Sequence, residues 1–285
     1  MGVIGLQPWA VEGAADLVST YREQGFAIVR GLFGRDEIAA IGAAVDRLHA
    51  EAAAHGRSFR HGNLCYRLVD GDVRMAQWPS WAHPALDAVR LDTRFARLLA
   101  PLIGGDLKQI INQVHWKPSG VGSGGDFAWH QDSRFRRPVE AFRDLGAAYV
   151  QTGLAIDPHA PLSGGLRFVP GSHRQGPVAM AIDGDVMARP MSDDALAAAG
   201  FDPASVVDLM LEPGDVALWS PYLVHASGEN RSDHRRRFYI NGYVRAEACD
   251  RGEWAFRRGR PVPLGREPSL VHYEQLRERP EPHYI

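Results

Sequence analysis

The chain has 285 residues, of which 45% are hydrophobic and 23% charged, and its formal net charge is −2. This length fits one large domain or two small ones, and the charge balance gives no indication of a nucleic-acid or acidic-membrane partner. Cys65 and Cys249 are the only cysteines, and the N-terminus has no long apolar run. We therefore expect free thiols and a soluble, cytoplasmic protein with no membrane span.

The first third of the sequence has a mainly helical pattern. Gly25 and Gly56 each follow a predicted helix and are plausible end signals. A short strand, 26–30, separates these two helices. Residues 57–84, rich in Arg, Gly, Trp and Pro, are predicted to form an irregular loop over a site. The predicted helices are 8–24, 36–55 and 85–99.

The pattern changes after Gly104 and becomes strand-like. In 108–117 alternate residues point to opposite faces, so Gln113 and His115 share one face and Val114 lies on the other. Many short strands joined by Gly- and Pro-containing turns predict a sandwich or barrel. The further predicted strands are 147–156, 165–169, 206–211, 215–220 and 236–245.

The strand pattern is interrupted once and ends before the C-terminus. Residues 174–205, rich in Met, Ala and Asp, form a candidate lid. Residues 246–285 are charged and show little periodicity, so we expect them to wrap the outside. We predict a single domain, 1–285, with helical support over 8–99 and a β core over about 105–245.

The stretch Trp-His-Gln-Asp at 129–132 carries the strongest chemical signal. On an extended strand His130 and Asp132 leave the same face, and together they make two-thirds of the 2-His-1-carboxylate set that holds non-haem Fe(II). The third ligand must come from far away in sequence, and His225 is the best candidate. Arg236 follows on a predicted strand. Alone, a His-x-Asp pair is weak evidence, because a surface pair on a strand gives the same pattern.

Four motifs follow one another in a defined order. They are Trp-His-Gln-Asp (129–132), Gly-Gly-Leu-Arg-Phe-Val-Pro-Gly-Ser-His (164–173), Glu-Pro-Gly-Asp (212–215) and His-Ala-Ser-Gly-Glu-Asn-Arg-Ser (225–232), and Arg236 comes after them. As an ordered set they resemble the phytanoyl-CoA dioxygenase family of Fe(II)- and 2-oxoglutarate-dependent oxygenases, over about residues 20–245. The predicted architecture is mainly β with flanking helices, a double-stranded β-helix (jelly roll, cupin-like).

The resemblance implies an iron site and a reaction. His130, Asp132 and His225 would ligate Fe(II) and leave positions for 2-oxoglutarate and O2. The expected reaction hydroxylates an unactivated C–H bond of a small molecule and releases succinate and CO2, with ascorbate expected to help in vitro. Related halogenases have a small residue in place of the carboxylate, so Asp132 argues for hydroxylation.

The resemblance also implies the pocket for 2-oxoglutarate. Arg236 would grip the far carboxylate, because a planar guanidinium makes two parallel hydrogen bonds. Strand alternation turns Arg235 and Arg237 to the opposite face. Where some members have a Trp on the strand after the metal pair, this chain has Gly153. Further candidates for the pocket are Ser227, Lys117 and Thr152.

The sequence gives few indications of the substrate. Arg134, Arg136 and Arg137 follow the metal pair and could meet an anionic substrate, although solvated charges on a loop give the same pattern. His159 is interpreted as a loop or surface histidine. Candidate substrate contacts are Arg134, Gln113, His115 and Trp78.

Two alternatives to the hydroxylase remain at this point. One is a metal-dependent jelly-roll enzyme that does not use 2-oxoglutarate, and the other is a non-catalytic binding module. A buried Arg236 facing the metal donors is needed only by an enzyme that uses 2-oxoglutarate. The oligomeric state and the substrate's identity do not follow from the sequence.

Overall fold

The computed structural model describes residues 10–11, 13–180, 191–266 and 283–284. The helices are α1 (Ala14–Gln24), α2 (Arg35–His55), α3 (Pro84–Arg90), α4 (Thr93–Ile103), α5 (Leu145–Ala148) and α6 (Asp193–Ala198). The strands are β1 (Ala10–Val11), β2 (Phe26–Val29), β3 (Phe59–His61), β4 (Leu64–Val69), β5 (Asp72–Gln77), β6 (Leu107–Lys117), β7 (Phe127–His130), β8 (Tyr149–Ala155), β9 (Leu166–Phe168), β10 (Val207–Asp208), β11 (Val216–Trp219), β12 (His225–Ser227), β13 (Arg236–Arg245), β14 (Glu253–Arg257), β15 (Arg260–Pro261) and β16 (His283–Tyr284).

Two sheets build the β core. The larger has the order β1-β2-β11-β8-β13-β6-β5-β4-β3-β16, with β14 on the end of β6, and the smaller has the order β10-β9-β12-β7. Apart from the parallel pair β1–β2, the pairings are antiparallel in the described residues. Side chains of both sheets line one cavity. The prediction of a mainly β jelly roll with flanking helices is confirmed.

Helices α1–α4 cover the face of the larger sheet that points away from the cavity. Ile41, Val45 and Leu48 repeat at helical spacing along α2 and are buried in a cluster with Trp116 and Tyr239 of the sheet. A second buried cluster joins the inner faces of the two sheets and includes Phe168 of β9 and Trp219 of β11. The apolar residues therefore fix the larger sheet from both sides.

The first two predicted helices end where the sequence pattern places them. Gly25 and Gly56 close α1 and α2 in the left-handed conformation, with φ of 84° and 67°. The predicted helix 85–99 is two helices, because the Asp92 side chain accepts a hydrogen bond from the Arg94 amide and starts α4 anew. The predicted helix 8–24 begins at Ala14 within the described residues.

The prediction of an irregular loop over 57–84 is wrong. These residues form β3, β4 and β5, three antiparallel strands that extend the larger sheet through pairing of β5 with β6. Turn residues such as Gly62 and Gly71, which have positive φ, join short strands here. The segment still reaches the cavity, through Arg67 and Trp78.

Two other predicted segments are described only in part. A helix, α6, occupies Asp193–Ala198 in the candidate lid 174–205, but 181–190 lie outside the described residues, and the lid remains a prediction. In the predicted wrap 246–285, β14 pairs with β6 and with β15. Residues 267–282 and 285 lie outside the description.

A substitution at Gly153 tests how tightly β8 packs against the Phe238 side chain of β13. A Cβ atom at Gly153 would lie 2.1 Å from the Phe238 ring. We predict that Gly153→Ala lowers the free energy of unfolding by about 1–3 kcal/mol, because the ring must move in a packed interior. Urea unfolding measures this change.

Gly34→Ala is the matched control, since its φ is −77° and the nearest atom to the new Cβ is 3.6 Å away. It should cost less than about 1 kcal/mol. Equal losses in both variants would contradict the packing argument.

Candidate metal and co-substrate site

The pairing of β7 with β12 brings two distant histidines together. His225 pairs directly with His130, and their ring centroids are 4.2 Å apart. The strand predicted to run through 132 ends at His130, and Asp132 begins a 3-10 turn. Gln131 between them is extended, with φ of −116° and ψ of 137°, so the carboxylate still returns to the side of the imidazole.

The three side chains offer one donor atom each. Nε2 of His130 lies 4.0 Å from Oδ1 of Asp132, and Nε2 of His225 lies 3.9 Å from Oδ2. The donor atoms lie within 4.8 Å of one another, and the three residues are buried. They are the one group of this kind in the described part of the chain.

Hydrogen bonds set the tautomer of both histidines. Nδ1 of His130 lies 2.7 Å from the Ala128 carbonyl, and Nδ1 of His225 lies 2.9 Å from the Leu223 carbonyl. A carbonyl oxygen only accepts, so each Nδ1 carries a proton, and Nε2 is the ring nitrogen that faces the carboxylate and is available to a metal. Burial lowers the pKa of His130 to about 3, which keeps its imidazole neutral. This donor set fits a divalent transition metal.

The carboxylate is held in an ionised, fixed state. The Trp219 indole N–H donates to Oδ2 of Asp132 at 2.8 Å. Burial opposes ionisation, but His225, Arg136 and the indole hydrogen bond together hold the pKa of Asp132 below its usual range. Gln131 donates from its amide to the Tyr222 carbonyl at 2.6 Å and so anchors the residue between the two donors.

Arg236 and Lys117 form a buried pair of cations on adjacent strands. They are direct partners in the pairing of β13 with β6, and both are about 5% exposed or less. Arg236 donates from Nε to the Ser163 carbonyl at 3.0 Å, and Lys117 donates to the Ser227 hydroxyl at 2.7 Å. Among the described residues neither has a carboxylate at ion-pair distance. Like charges placed opposite each other in a sheet repel, so this wall is suited to an anion.

Burial lowers the pKa of both cations. The pKa of Arg236 falls to about 10, so the guanidinium is still charged at neutral pH. Burial, with the charge of Arg236 next, lowers the pKa of the Lys117 ammonium well below its usual value. The prediction that alternation separates Arg236 from Arg237 is confirmed, because Arg237 turns away and pairs with Asp157 at 2.7 Å.

His159 is a part of the site that the sequence did not indicate. His159 lies in the loop between β8 and β9, as predicted, but it is not a surface residue, because it is 1% exposed and accepts a hydrogen bond on Nε2 from Nη1 of Arg236. Its Nδ1 lies 3.1 Å from the Asp157 carbonyl, so Nδ1 carries the proton. Burial and then the charge of Arg236 hold the pKa of His159 far below its usual value. This neutral imidazole orients the guanidinium.

The donors and the cations line one cavity of about 690 Å³ between the sheets. Gln113, His115 and Trp78 line it, as the sequence predicted for substrate contacts. Burial lowers the pKa of His115 to about 3, so its ring is neutral. Arg134 is not among the lining residues and instead lines a smaller adjacent groove.

Two expectations for this wall do not fit the geometry. Thr152 is buried with its hydroxyl donating to the Asn241 carbonyl at 2.8 Å, and it does not line the cavity. Its neighbour Gln151 lines the cavity instead. Arg136 is not a solvated loop charge, because it is 5% exposed and lines the cavity. Phe238 fills the space above Gly153, where some relatives have Trp.

A jelly roll with two imidazoles and a carboxylate converging in its cavity is the arrangement of Fe(II)- and 2-oxoglutarate-dependent dioxygenases, and the chain is of this class. The family model for phytanoyl-CoA dioxygenase (PhyH) matches residues 21–238, so the chain belongs to that family. None of the helices in the described residues is long and apolar enough to cross a membrane.

Two curated dioxygenases are similar to this chain in sequence. The chain is 25% identical over 242 residues to a probable alpha-ketoglutarate-dependent hypophosphite dioxygenase of Stutzerimonas stutzeri, covering 80% of this chain and 77% of that protein. It is 29% identical over 147 residues to the dioxygenase lolE1 of Epichloe uncinata, covering 51% of this chain and about half, 49%, of that protein.

Two crystal structures share the fold. One is the epimerase SnoN in complex with Fe3+, alpha-ketoglutarate and nogalamycin RO, with a TM-score of 0.59, 22% identity, and coverage of 90% of this chain and 95% of that one. The other is EctD from S. alaskensis with bound Fe, with a TM-score of 0.63, 20% identity, and coverage of 94% and 91%. At these identities the likeness shows the fold.

The buried Lys117 charge predicts a pH dependence of stability. The folded pKa lies below the unfolded value of 10.5, so the unfolded chain binds the extra proton between the two values. Wild-type stability, measured relative to Lys117→Met without ligand, should therefore rise by up to about 1.4 kcal/mol per pH unit in that window. Denaturant unfolding at several pH values measures it.

Lys108→Met is the matched control, because Lys108 is the chain's other lysine and donates to the Cys249 carbonyl outside the cavity. The difference in the free energy of unfolding between the wild type and the Met variant should change more with pH for Lys117→Met than for Lys108→Met. A difference between wild type and Lys117→Met that does not change with pH would contradict the analysis.

Proposed function

We propose that this chain is an Fe(II)- and 2-oxoglutarate-dependent hydroxylase of a small molecule, with His130, Asp132 and His225 as the iron ligands. The observation that carries the proposal is the convergence of two Nε2 lone pairs and one ionised carboxylate within 4.8 Å. Bound iron supplies the activation of O2, in which 2-oxoglutarate is converted to succinate and CO2 and one oxygen atom enters a substrate C–H bond.

One wall of the cavity is complementary in charge to 2-oxoglutarate. We propose that Arg236 binds the far carboxylate of 2-oxoglutarate, since its planar guanidinium makes two parallel hydrogen bonds. His159 holds the guanidinium in place by accepting from Nη1. Lys117 supplies the second positive charge, and its hydrogen bond to Ser227 aligns that hydroxyl with the same wall. The dianion would offset both buried cations.

The rest of the cavity positions the substrate and excludes water. Its volume of about 690 Å³ is in the range of small-molecule sites, and Phe127, Phe238 and Ile240 give it apolar walls. Asp132 keeps the carboxylate that a halide would replace, which favours hydroxylation. We also propose that residues 1–285 act as one domain in the cytoplasm, without nucleic-acid or membrane partners and with ascorbate as a helpful reductant in vitro.

Succinate formation tests the proposed function. Iron-loaded protein with 2-oxoglutarate and ascorbate under air should release succinate, and Arg236→Lys should raise the KM for 2-oxoglutarate by about 10- to 100-fold, because lysine replaces two aligned hydrogen bonds by a single point charge. Steady-state succinate assays over a range of 2-oxoglutarate concentrations measure the KM.

Arg237→Lys is the matched control, because this neighbour pairs with Asp157 outside the cavity. It should leave the KM for 2-oxoglutarate near the wild-type value. Absence of succinate from folded, iron-loaded protein, with a broad panel of small molecules present, would exclude the proposed function.

The hydrogen bond from Trp219 to Asp132 tests the ligand assignment. Trp219→Phe removes the donor to Oδ2, and we predict that Fe(II) affinity falls by about 10- to 100-fold, because the carboxylate loses its orienting partner. Anaerobic titration calorimetry with Fe(II) measures the affinity.

Trp129→Phe is the control for the loss of a buried indole, because Nε1 of Trp129 has no hydrogen-bond partner in the described part of the chain. Its effect on Fe(II) affinity should be less than about threefold. Equal weakening in the two variants would argue against a specific role for the bond to Asp132.

A further inference from the structure

Most of the charged side chains that line the cavity are cationic. Asp132 is the one carboxylate among the described lining residues. Arg236 and Lys117 are matched in the proposed function by the two carboxylates of 2-oxoglutarate. Cationic side chains remain on the lining beyond these two, and they are Arg67, Arg74, Arg136, Arg137 and Arg251. Arg74 pairs with Asp72 at 3.5 Å, so the number of lining arginines does not by itself require a second anion, and each arginine has to be considered separately.

Arg136 is the most deeply buried of these arginines. It is 5% exposed, and its hydrogen bonds go to neutral groups, the Tyr149 hydroxyl at 3.0 Å and Gln151 Oε1 at 3.5 Å. Its Nε is buried and has no hydrogen-bond partner among the residues that the structure describes. Within the described residues no carboxylate lies at ion-pair distance from its guanidinium. A buried guanidinium without an anion is costly, which indicates a site that a bound anion completes.

The position of Arg136 places this site beside the proposed iron site. Arg136 is four residues beyond Asp132 and its charge contributes to the low pKa of that carboxylate. Its ring partner is Tyr149, with the guanidinium carbon 4.9 Å from the ring centroid, so one face of the guanidinium is fixed. Arg137 and Arg251 line the same cavity and are linked by a hydrogen bond from Arg251 to the Arg137 carbonyl.

Apolar side chains share the cavity lining with Arg136. Ile110, Phe135, Pro138 and Phe142 line the cavity with it, and Phe135 is 45% exposed at its edge, 5.7 Å from the His130 ring. These groups offer contact to a hydrocarbon or aromatic body but no charge to an ammonium group. A substrate that fits both features has an apolar body and one anionic end.

We propose that the substrate is an organic monoanion, a carboxylate with an apolar or aromatic body, whose carboxylate binds Arg136 with Arg137 and Arg251 nearby. The guanidinium holds the anionic end, and the apolar body extends toward His130 and Asp132. This inference rests on the proposed function, because it assigns the part of that site not taken by iron and 2-oxoglutarate.

Matched acid and amide probes test this proposal. The probes are phenylacetate, 3-phenylpropanoate and indole-3-acetate, each compared with its primary amide, which keeps the shape and removes the charge. Binding is measured by anaerobic calorimetry on protein loaded with Fe(II) and 2-oxoglutarate. We expect the acids to bind at least about tenfold more tightly than their amides, and Arg136→Met to abolish this preference.

Two further variants distinguish the effect of the positive charge at Arg136 from a non-specific effect of substitution on folding. Arg136→Lys keeps the charge and should keep a preference for acids, although a smaller one. Arg97→Gln removes an exposed charge on α4, away from the cavity, and should leave the preference unchanged. The preference is a ratio measured on one sample, so a partly unfolded fraction does not alter it.

The outcomes distinguish this inference from the proposed function. Equal binding of acids and amides, including no binding of either, overturns the inference, and so does an undiminished preference in Arg136→Met. If iron and 2-oxoglutarate still bind and succinate still forms, the proposed function survives that result. Loss of iron and 2-oxoglutarate binding in the wild-type protein would instead reject the proposed function itself.

Discussion

The direct pairing of His225 with His130 across β12 and β7 is the constraint on which the site depends. Because side chains alternate along a strand, a slip of one residue would turn His225 away from the cavity. β12 is held on its other side by β9, where His225 pairs with Phe168, so its register is fixed twice. The extended Gln131 then returns Asp132 to the same side, and the indole of Trp219 fixes it there. Two strand pairings and one turn thus assemble three donors from distant parts of the sequence.

The electrostatics of the cavity follow from its burial between two sheets. Arg236 and Lys117 repel each other across adjacent strands, and Arg136 is buried beside neutral partners. In the ligand-free protein these charges lower stability, and bound anions relieve that cost. The apolar helices on the far face of the larger sheet supply the stability that permits this arrangement. His159 shows how such a charge is kept in position, since a neutral imidazole accepts its hydrogen bond without neutralising it.

The sequence predicted the parts of the site that depend on local pattern and motif order. Alternation along β6 correctly gave Gln113 and His115 a common face, since both line the cavity whereas Val114 between them is buried in the core under the helices. Thr152 was placed in the pocket by the family resemblance, and alternation could not correct this along β8, where all seven residues are buried. His159 was missed because its burial depends on a loop packing against Arg236, far away in sequence. Residues 57–84 were misread because short strands rich in turn residues lack a clear period.

Anomalous diffraction at the iron edge, from crystals grown anaerobically with Fe(II) and 2-oxoglutarate, tests the central claim most directly. The account predicts one strong peak bonded to Nε2 of His130, Nε2 of His225 and a carboxylate oxygen of Asp132, with 2-oxoglutarate extending from it to the guanidinium of Arg236. A peak elsewhere, or iron bound without His225, would contradict the account. So would 2-oxoglutarate that does not reach Arg236.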